Sequence, residues 1–451
     1  MTATTVEALN RGYTPEVAPI HITAPLSREV RSTYRSWRTQ ILYSVIIGYA
    51  AYYLLRQNFS MAIPGMMEDL GYTKIELGWV VTMWSIVYGI GKFVNGFLSD
   101  RSNARIFMPA GLLLSAVVCL CMGFMDTLWA IGFLWMFNGW FQSMGWPPAA
   151  RLVTHWFSPT ELGMKWALCS SSHQIGGAII SVFAGYLIVH YGWRSAFYIP
   201  ALLAIGVAFF LYNRLRDRPQ DLGLPPVEEY KGDVRHVSDE YEERVTLKDV
   251  IHQVLGNKLV WYMGFANLCL YIPRMGIFVW APTFLKEIKG TGLLEAGWQV
   301  GGFEIAGLAG GLMAGWLSDR FFGGRRGPVG VFFLIGLAAS IGLLWAIPAG
   351  YPLLDLVALM LAGYLVYGPQ ILAGVASADF ASKKAVGVAN GFIGTLAYLG
   401  SGIAGVGIGY VVESYGWAGG FTLFIASSLI GAFFFLLVWN RRAKVLEDQG
   451  A

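Results

Sequence analysis

The hexapeptide Gly96-Phe97-Leu98-Ser99-Asp100-Arg101 returns as Gly315-Trp316-Leu317-Ser318-Asp319-Arg320, 219 residues later and about half a chain length away. A second marker, Tyr191-Gly192-Trp193, returns as Tyr415-Gly416-Trp417, 224 residues on. Two markers in one order at nearly one offset indicate an internal duplication. Each hexapeptide closes a long apolar run and is followed by further base, Arg105 in the first copy and Arg325 and Arg326 in the second. The fold must therefore be built from two like halves, each presenting an Asp-Arg loop at the end of a hydrophobic segment.

The environment of those halves follows from the balance of residues. Of 451 residues, 55% are hydrophobic and 13% charged, where soluble domains carry about 25% charged residues. The chain belongs in lipid. A net charge of +4 reflects loop charges and gives no reason to expect nucleic acid. Cys119, Cys121, Cys169 and Cys269 all fall inside apolar runs without metal-ligand spacing, and read as small hydrophobes. No metal and no cofactor is expected.

A spanning helix needs about 20 apolar residues. Six such runs lie near 41–64, 77–98, 106–125, 128–149, 165–189 and 194–213, and six more near 258–282, 297–317, 328–348, 353–377, 386–412 and 417–439. Backbone groups in lipid need internal partners, so the spans are helices. The expectation is an all-α membrane protein of twelve transmembrane helices in two pseudo-symmetric six-helix bundles, 41–213 and 258–440. A tail (1–40), a polar linker (214–257) and a short basic tail (441–451) complete it. No signal-peptide core precedes the first span. Loops after the second and eighth spans are basic, as are the linker and both flanks, whereas the loops after the first and seventh spans mix signs and those after the third and eleventh carry only Asp126 and Glu413. The Lys/Arg bias puts both termini, the linker and both Asp-Arg loops in the cytoplasm, as in a multi-pass protein of a cell (inner) membrane.

Many of the 56 glycines sit in spans, among them Gly301, Gly302, Gly307, Gly310, Gly311 and Gly315, then Gly400, Gly402, Gly405, Gly407 and Gly409. Small residues let membrane helices approach closely. Two readings stand side by side: a moving interface, or tight static packing.

Ionisable groups inside spans are the informative ones, since a charge at the bilayer centre costs about 2.5–3.5 kcal/mol on insertion scales. They are Arg56, Lys92, His173, Arg274 and Glu304. Arg56 and Arg274 lie 218 residues apart, within one residue of the repeat, so they hold equivalent places and are expected to face each other near mid-membrane. The first six spans hold no Asp or Glu. Either Glu304 neutralises one arginine, or the missing anion is a substrate. A guanidinium presents planar bidentate donors to phosphate or carboxylate, and a phosphate monoester carries about −1.5 to −2 charges, which suits two arginines. Lys92, four residues after Tyr88 on one helix face, and His173 add donors. Tyr49, Tyr52, Tyr53, Tyr88, Tyr271, Tyr367 and Tyr398 share these helices. Singly they are packing or interfacial residues; as a set they can supply hydroxyl donors.

Several stretches carry a more specific resemblance: Gly48-Tyr49-Ala50-Ala51-Tyr52-Tyr53-Leu54-Leu55-Arg56, Tyr88-Gly89-Ile90-Gly91-Lys92, Ser99-Asp100-Arg101-Ser102-Asn103, Gly145-Trp146-Pro147-Pro148, His173-Gln174-Ile175-Gly176-Gly177, Gly223-Leu224-Pro225 and Tyr367-Gly368-Pro369-Gln370. On these the chain resembles the major facilitator superfamily, and within it the organophosphate:phosphate antiporters of the glycerol-3-phosphate and hexose-6-phosphate branch. The resemblance implies that Arg56 and Arg274 hold a phosphoryl group, that Lys92 and His173 match the family lysine and histidine, and that Glu304 falls on a family acid. It also implies gating roles for Asp100, Arg101, Asp319 and Arg320. Gln57, Val279 and Cys169-Ser170 depart from the family pattern, and bear on the organic half of the substrate.

The implied function is a secondary antiporter, a monomer, exchanging an organic phosphate such as hexose 6-phosphate or glycerol 3-phosphate for inorganic phosphate by alternating access. The alternative is a membrane sugar-phosphate sensor signalling to a partner kinase. A proton symporter is disfavoured by the missing carboxylates. An enzyme is not expected: no His-Glu-x-x-His, nucleophile elbow or Walker loop is present.

Overall fold

The computed structural model describes residues 27–231, 254–380 and 386–441. Within them the chain is helical, and twelve spans can be followed. Nine helical stretches are long and apolar enough to cross a membrane. One of these, Val388–Leu436, is two spans joined at Gly416, whose φ of 70° turns the chain. The first and fourth spans complete the set; each is a broken helix. The first is Arg28–Leu54 followed by Asn58–Leu70, and the fourth is Leu128–Gln142 followed by Trp146–Trp156.

Boundaries differ from the apolar runs for a physical reason. The first helix begins at Arg28, where the Ser27 hydroxyl accepts from the Val30 N–H, so a polar helical extension runs into the first span. Hydropathy sees only the part in lipid. The second span opens on a capping box, with Thr73 accepting from the Glu76 N–H and Glu76 accepting from the Thr73 N–H. Of the polar linker, a short 3₁₀ turn (Pro219–Leu222) and the helix Val227–Lys231 are described; its acidic stretch around Glu240, Glu242 and Glu243 lies outside the described residues.

At the end of the molecule carrying the Asp-Arg loops, the ion pairs among the described residues stay within each half and its flanking segment. Arg151 donates to both carboxylate oxygens of Asp217 at 3.0 and 2.9 Å, and to the Asp100 carbonyl at 2.6 Å. Burial alone would raise the Asp217 carboxyl, but the Arg151 fork and the Ala104 N–H hold it below the ordinary carboxylate range. In the second half Arg326 joins Asp319 at 2.5 Å and Asp379 at 3.2 Å.

The opposite end is where the halves meet. Lys286 reaches Glu68 at 2.5 Å, Lys74 reaches Glu287 at 2.8 Å, and the Ile75 N–H donates to Glu413 at 3.1 Å. Deeper, Thr82 donates to the Gly402 carbonyl at 2.7 Å and accepts from the Val406 N–H at 2.9 Å, while the Ser85 and Ser401 hydroxyls lie 2.9 Å apart. The eleventh span adopts a π-helical turn over Ile403–Gly407 at this contact. The described contacts between halves thus close one end and leave the Asp-Arg end apart.

The two glycine readings divide between different residues. Gly405 lies on the seam: a Cβ there would stand 2.5 Å from Thr82 Oγ1 and 2.8 Å from the Gly78 carbonyl oxygen. Gly310 is static packing, since its Cβ would run into the Tyr364 carbonyl of the same half.

Overpacking costs about 1–3 kcal/mol, enough to move a two-state population about 5–150-fold. Gly405→Ala is expected to raise the thiol reactivity of a Ser85→Cys reporter at least fivefold, with exposed Cys121 replaced by Ser. Gly310→Ala is expected to lower the thermal midpoint without exposing that reporter. Unchanged reporter reactivity in Gly405→Ala would show that this seam does not hold the end shut.

A second expectation concerns pH. Asp217 has a lowered folded pKa, so its stabilisation is complete above the unfolded carboxylate value of about 3.9 and is lost as pH falls through the lower folded value. The thermal midpoint of Asp217→Asn should lie below wild type at neutral pH and converge with it in acid. Parallel acid limbs would remove Asp217 from the linkage.

Candidate substrate site

The break in the first span falls at Leu55–Gln57, around Arg56. Interrupting a helix frees carbonyls that lipid cannot satisfy. Here buried amides take them: Asn138 donates to the Leu55 carbonyl at 3.0 Å and Gln142 to the Tyr52 carbonyl at 3.0 Å. Both come from the fourth span, which fixes the turn and with it the start of the Arg56 side chain. Arg274 lies directly after Pro273 in the seventh span, Lys258–Glu287. Proline removes a helical N–H, so both arginines sit beside a local irregularity of their helix.

The two arginines open onto one cavity of about 160 Å³. Tyr49, Tyr53, Tyr88, Lys92, His173, Tyr271 and Tyr398 line it with them. Both arginines are buried, 8–9% exposed as whole residues. Their neighbours are aromatic faces: Arg56 lies 4.5 Å over Trp84 and 4.7 Å over Tyr88, Arg274 lies 4.9 Å over Tyr367 and 5.0 Å over Tyr271, and Lys92 lies 5.4 Å over Tyr398. Such contacts stabilise a cation and leave its charge in place. Among the described residues no carboxylate lines the cavity.

Tyr367 stands one layer behind the lining. Its hydroxyl accepts from Arg274 at 3.4 Å and donates to Glu304 at 2.6 Å. Glu304 is fully buried, and its second oxygen has no partner among the described residues. It therefore meets Arg274 through a tyrosine. His173 packs between the rings of Tyr53 and Tyr367, at 5.7 and 6.1 Å, with Nδ1 against the Ser170 carbonyl. That contact assigns the proton of the neutral ring to Nδ1, which makes Nε2 an acceptor until the ring takes a second proton.

Tyr52 departs from the aromatic set: its hydroxyl donates to the Met108 carbonyl at 2.7 Å, a packing role. Gln57 and Val279 sit beneath the arginines. Gln57 donates across the halves to the Phe278 carbonyl at 3.1 Å. Val279, with Phe59, Trp84, Trp135 and Phe278, lines an apolar crevice of about 30 Å³ on the sealed side of Arg56. They bear on closure more directly than on the organic half of a substrate. Asp100, Arg101, Asp319 and Arg320 are not among the cavity residues.

Trp146, Ser170 and Gln370 also line the cavity and were not among the expected ligands. Gln370 leaves its amide oxygen buried and without a partner among the described residues, an acceptor suited to a hydroxyl. All three are neutral, so a search for intramembrane charge passes over them; their signal lay in the short motifs around them.

Tyr367→Phe removes the hydroxyl shared by Arg274 and Glu304. Hydrogen bonds to charged groups contribute about 1.5–3 kcal/mol, so binding of inorganic phosphate, used as the probe anion, is expected to weaken at least tenfold by calorimetry. Affinity within twofold of wild type would remove Tyr367 from the support of Arg274.

The model of the Major Facilitator Superfamily matches residues 45–372 and 263–450. The glycerol-3-phosphate transporter of Bacillus subtilis (strain 168) is 42% identical over 430 residues, covering 93% of this chain and 96% of that protein. A "Probable hexose phosphate transport protein" of Chlamydia pneumoniae is 40% identical, covering 94% and 96%. The membrane sensor protein UhpC of Escherichia coli (strain K12) is 38% identical, covering 91% and 94%. Among solved structures, an inward-facing, unoccupied bacterial homolog of the human lysosomal transporter Spinster superposes with a TM-score of 0.74 at 13% identity, over 89% of this chain and 97% of that one. That likeness concerns the fold alone.

Proposed function

The chain belongs to the major facilitator superfamily, and from that premise we propose that it is a secondary active transporter exchanging an organic phosphate, such as hexose 6-phosphate or glycerol 3-phosphate, for inorganic phosphate by alternating access. It is a transporter and not an enzyme. The observation that carries the substrate class is the charge of the site. Arg56, Lys92 and Arg274 line one cavity, and among the described residues no carboxylate lines it and Glu304 alone stands behind them, through Tyr367. With His173 neutral, this leaves an excess of two positive charges. A phosphate monoester of about −1.5 to −2 charges balances it. The relatives named as glycerol-3-phosphate and hexose phosphate transporters support the same class.

In this reading Arg56 and Arg274 grip the phosphoryl oxygens from opposite halves, Lys92 adds a donor, and the neutral His173 offers Nε2 as an acceptor to a substrate hydroxyl, becoming a donor only when it takes a second proton. The tyrosine hydroxyls of Tyr49, Tyr53, Tyr88, Tyr271 and Tyr398 complete the shell, with Tyr367 bracing Arg274. Gln370 and Ser170 face the organic part. The Asp-Arg loops, both termini and the linker are cytoplasmic, so the cavity opens inward and the seam closes the outer side. The working unit is a monomer in the cell (inner) membrane. Asp100, Arg101, Asp319 and Arg320 act on closure of the inner side, away from the ligand.

Exchange follows from the same charges. Closing the empty cavity brings two like charges into a medium where they repel more strongly. A bound dianion neutralises them, and the ligand lowers the barrier only through its stronger interaction with the occluded state. Inorganic phosphate and an organic phosphate both serve.

The sensor reading has its own support in the 38% identity to UhpC. Flux separates the two. Vesicles loaded with labelled phosphate are expected to release it rapidly only when phosphate or an organophosphate is outside. Arg56→Lys and Arg274→Lys should each nearly abolish exchange, because an ammonium cannot reproduce the bidentate fork. Equally fast efflux into buffer lacking both anions would sink the exchange mechanism. Binding without any flux would favour the sensor, and wild-type exchange in either lysine variant would remove that arginine as a principal ligand.

A further inference from the structure

A second basic site lies on the outer surface of the first half, far from the central cavity in character and lining. The polar extension of the first helix and the end of the sixth span, Ser195–Arg214, enclose a groove of about 540 Å³. Arg35 and Arg214 border it, with Ser32, Ser36, Thr39 and Tyr43 between them. Arg214 is held in place: it donates to the Gln40 side chain at 3.3 Å, and its carbonyl accepts from the Gln40 amide at 3.0 Å. Neither Arg35 nor the neighbouring Arg28 and Arg31 has an acidic partner among the described residues, and Glu29 is the sole acid between residues 27 and 43. Arg38 differs, being paired with Glu161 on the inward face of the same helix.

Polarity along the exposed face is graded. Arg35, Thr39, Tyr43 and Ile47 follow at four-residue steps, so they form one row. Tyr43 and Ile47 are 37% and 43% exposed, and the Tyr43 ring packs 6.4 Å from Phe210 of the sixth span. The row runs from guanidinium through hydroxyl and aromatic to aliphatic within about three turns. That is the order of phosphate, glycerol ester and acyl chain in one leaflet of a bilayer.

We propose that this groove binds an anionic phospholipid, with the headgroup phosphate between Arg35 and Arg214, the serine hydroxyls on its remaining oxygens, and the first acyl chain along Tyr43 and Ile47. A free anion would satisfy the arginines but leave the graded row below them unexplained. Basic residues beside a span attract anionic lipid through the surface potential of the leaflet. A groove with a pinned arginine converts that diffuse attraction into a site.

The test uses the full chain, delipidated in neutral detergent with saturating inorganic phosphate so that the central cavity is occupied throughout. Phosphatidylglycerol and phosphatidylcholine are titrated and bound lipid is counted by native mass spectrometry. Wild type is expected to retain phosphatidylglycerol at least fivefold more tightly than phosphatidylcholine. The preference should fall at least fivefold in Arg35→Gln/Arg214→Gln, persist in the charge-matched control Arg441→Gln/Arg442→Gln, and largely return in Arg35→Lys/Arg214→Lys. Equal binding in the glutamine variant and wild type would overturn the site. Displacement of the lipid by further phosphate would assign the groove to a free anion, and overturn the lipid. Binding that emerges only after the linker residues Asp239, Glu240, Glu242 and Glu243 are replaced by their amides would assign it to that segment instead.

Discussion

Everything in this molecule is arranged around two guanidinium ions held in the membrane interior with no carboxylate against either among the described residues. Placing a cation there is costly, and the chain offsets the cost without cancelling the charge. Aromatic faces of Trp84, Tyr88, Tyr271 and Tyr367 lie 4.5 to 5.0 Å from the guanidinium carbons. Tyr367 then carries the influence of Glu304 to Arg274 at one remove. Direct pairing with Glu304 would have produced a stable structural ion pair and an inert pocket. The intervening hydroxyl keeps Arg274 oriented while leaving its charge available.

The surrounding architecture serves that pair. The broken first span delivers Arg56 from a turn whose free carbonyls are taken by Asn138 and Gln142. Beneath it, apolar side chains and the Gln57 bond to the Phe278 carbonyl seal one direction. Charge pairs at the other end stay inside their own half, through Arg151 in the first and Arg326 in the second. Each half therefore keeps its own cluster of charges. Between the halves runs a seam of hydroxyls, carbonyls and glycine contacts, rimmed by the ion pairs Lys286–Glu68 and Lys74–Glu287, whose partly exposed charges water can reach when the seam parts.

Much of this was legible in the sequence because membrane physics leaves strong marks. Apolar runs, the repeat of the Asp-Arg loops and the matched positions of Arg56 and Arg274 follow from composition and spacing alone. The charged and phenolic members of the cavity were equally visible, since ionisable groups are rare in lipid. Other features were silent for equally definite reasons. Gln370, Ser170 and Trp146 are neutral and look like ordinary span residues. Tyr52 shares the helix of Tyr49 and Tyr53, but a single turn of angle sends its hydroxyl to Met108. The break at Leu55–Gln57 carries no proline or glycine, and depends on amides from a distant span. The polar start of the first helix has no hydropathy signal at all, and its groove appears only when the sixth span is packed against it.

The aromatic cradle of the arginines has a consequence for energetics. In the proposed exchange, cargo balances the positive charge that remains after Glu304, so the loaded protein moves close to zero net charge through the membrane field. A monovalent charge crossing 100 mV gains or loses about 2.3 kcal/mol; a compensated complex exchanges almost no electrical work with the membrane. The direction of the proposed exchange is then set by the ratio of the two anions on either side, and a cell could reverse it by changing its phosphate pool while holding its voltage fixed.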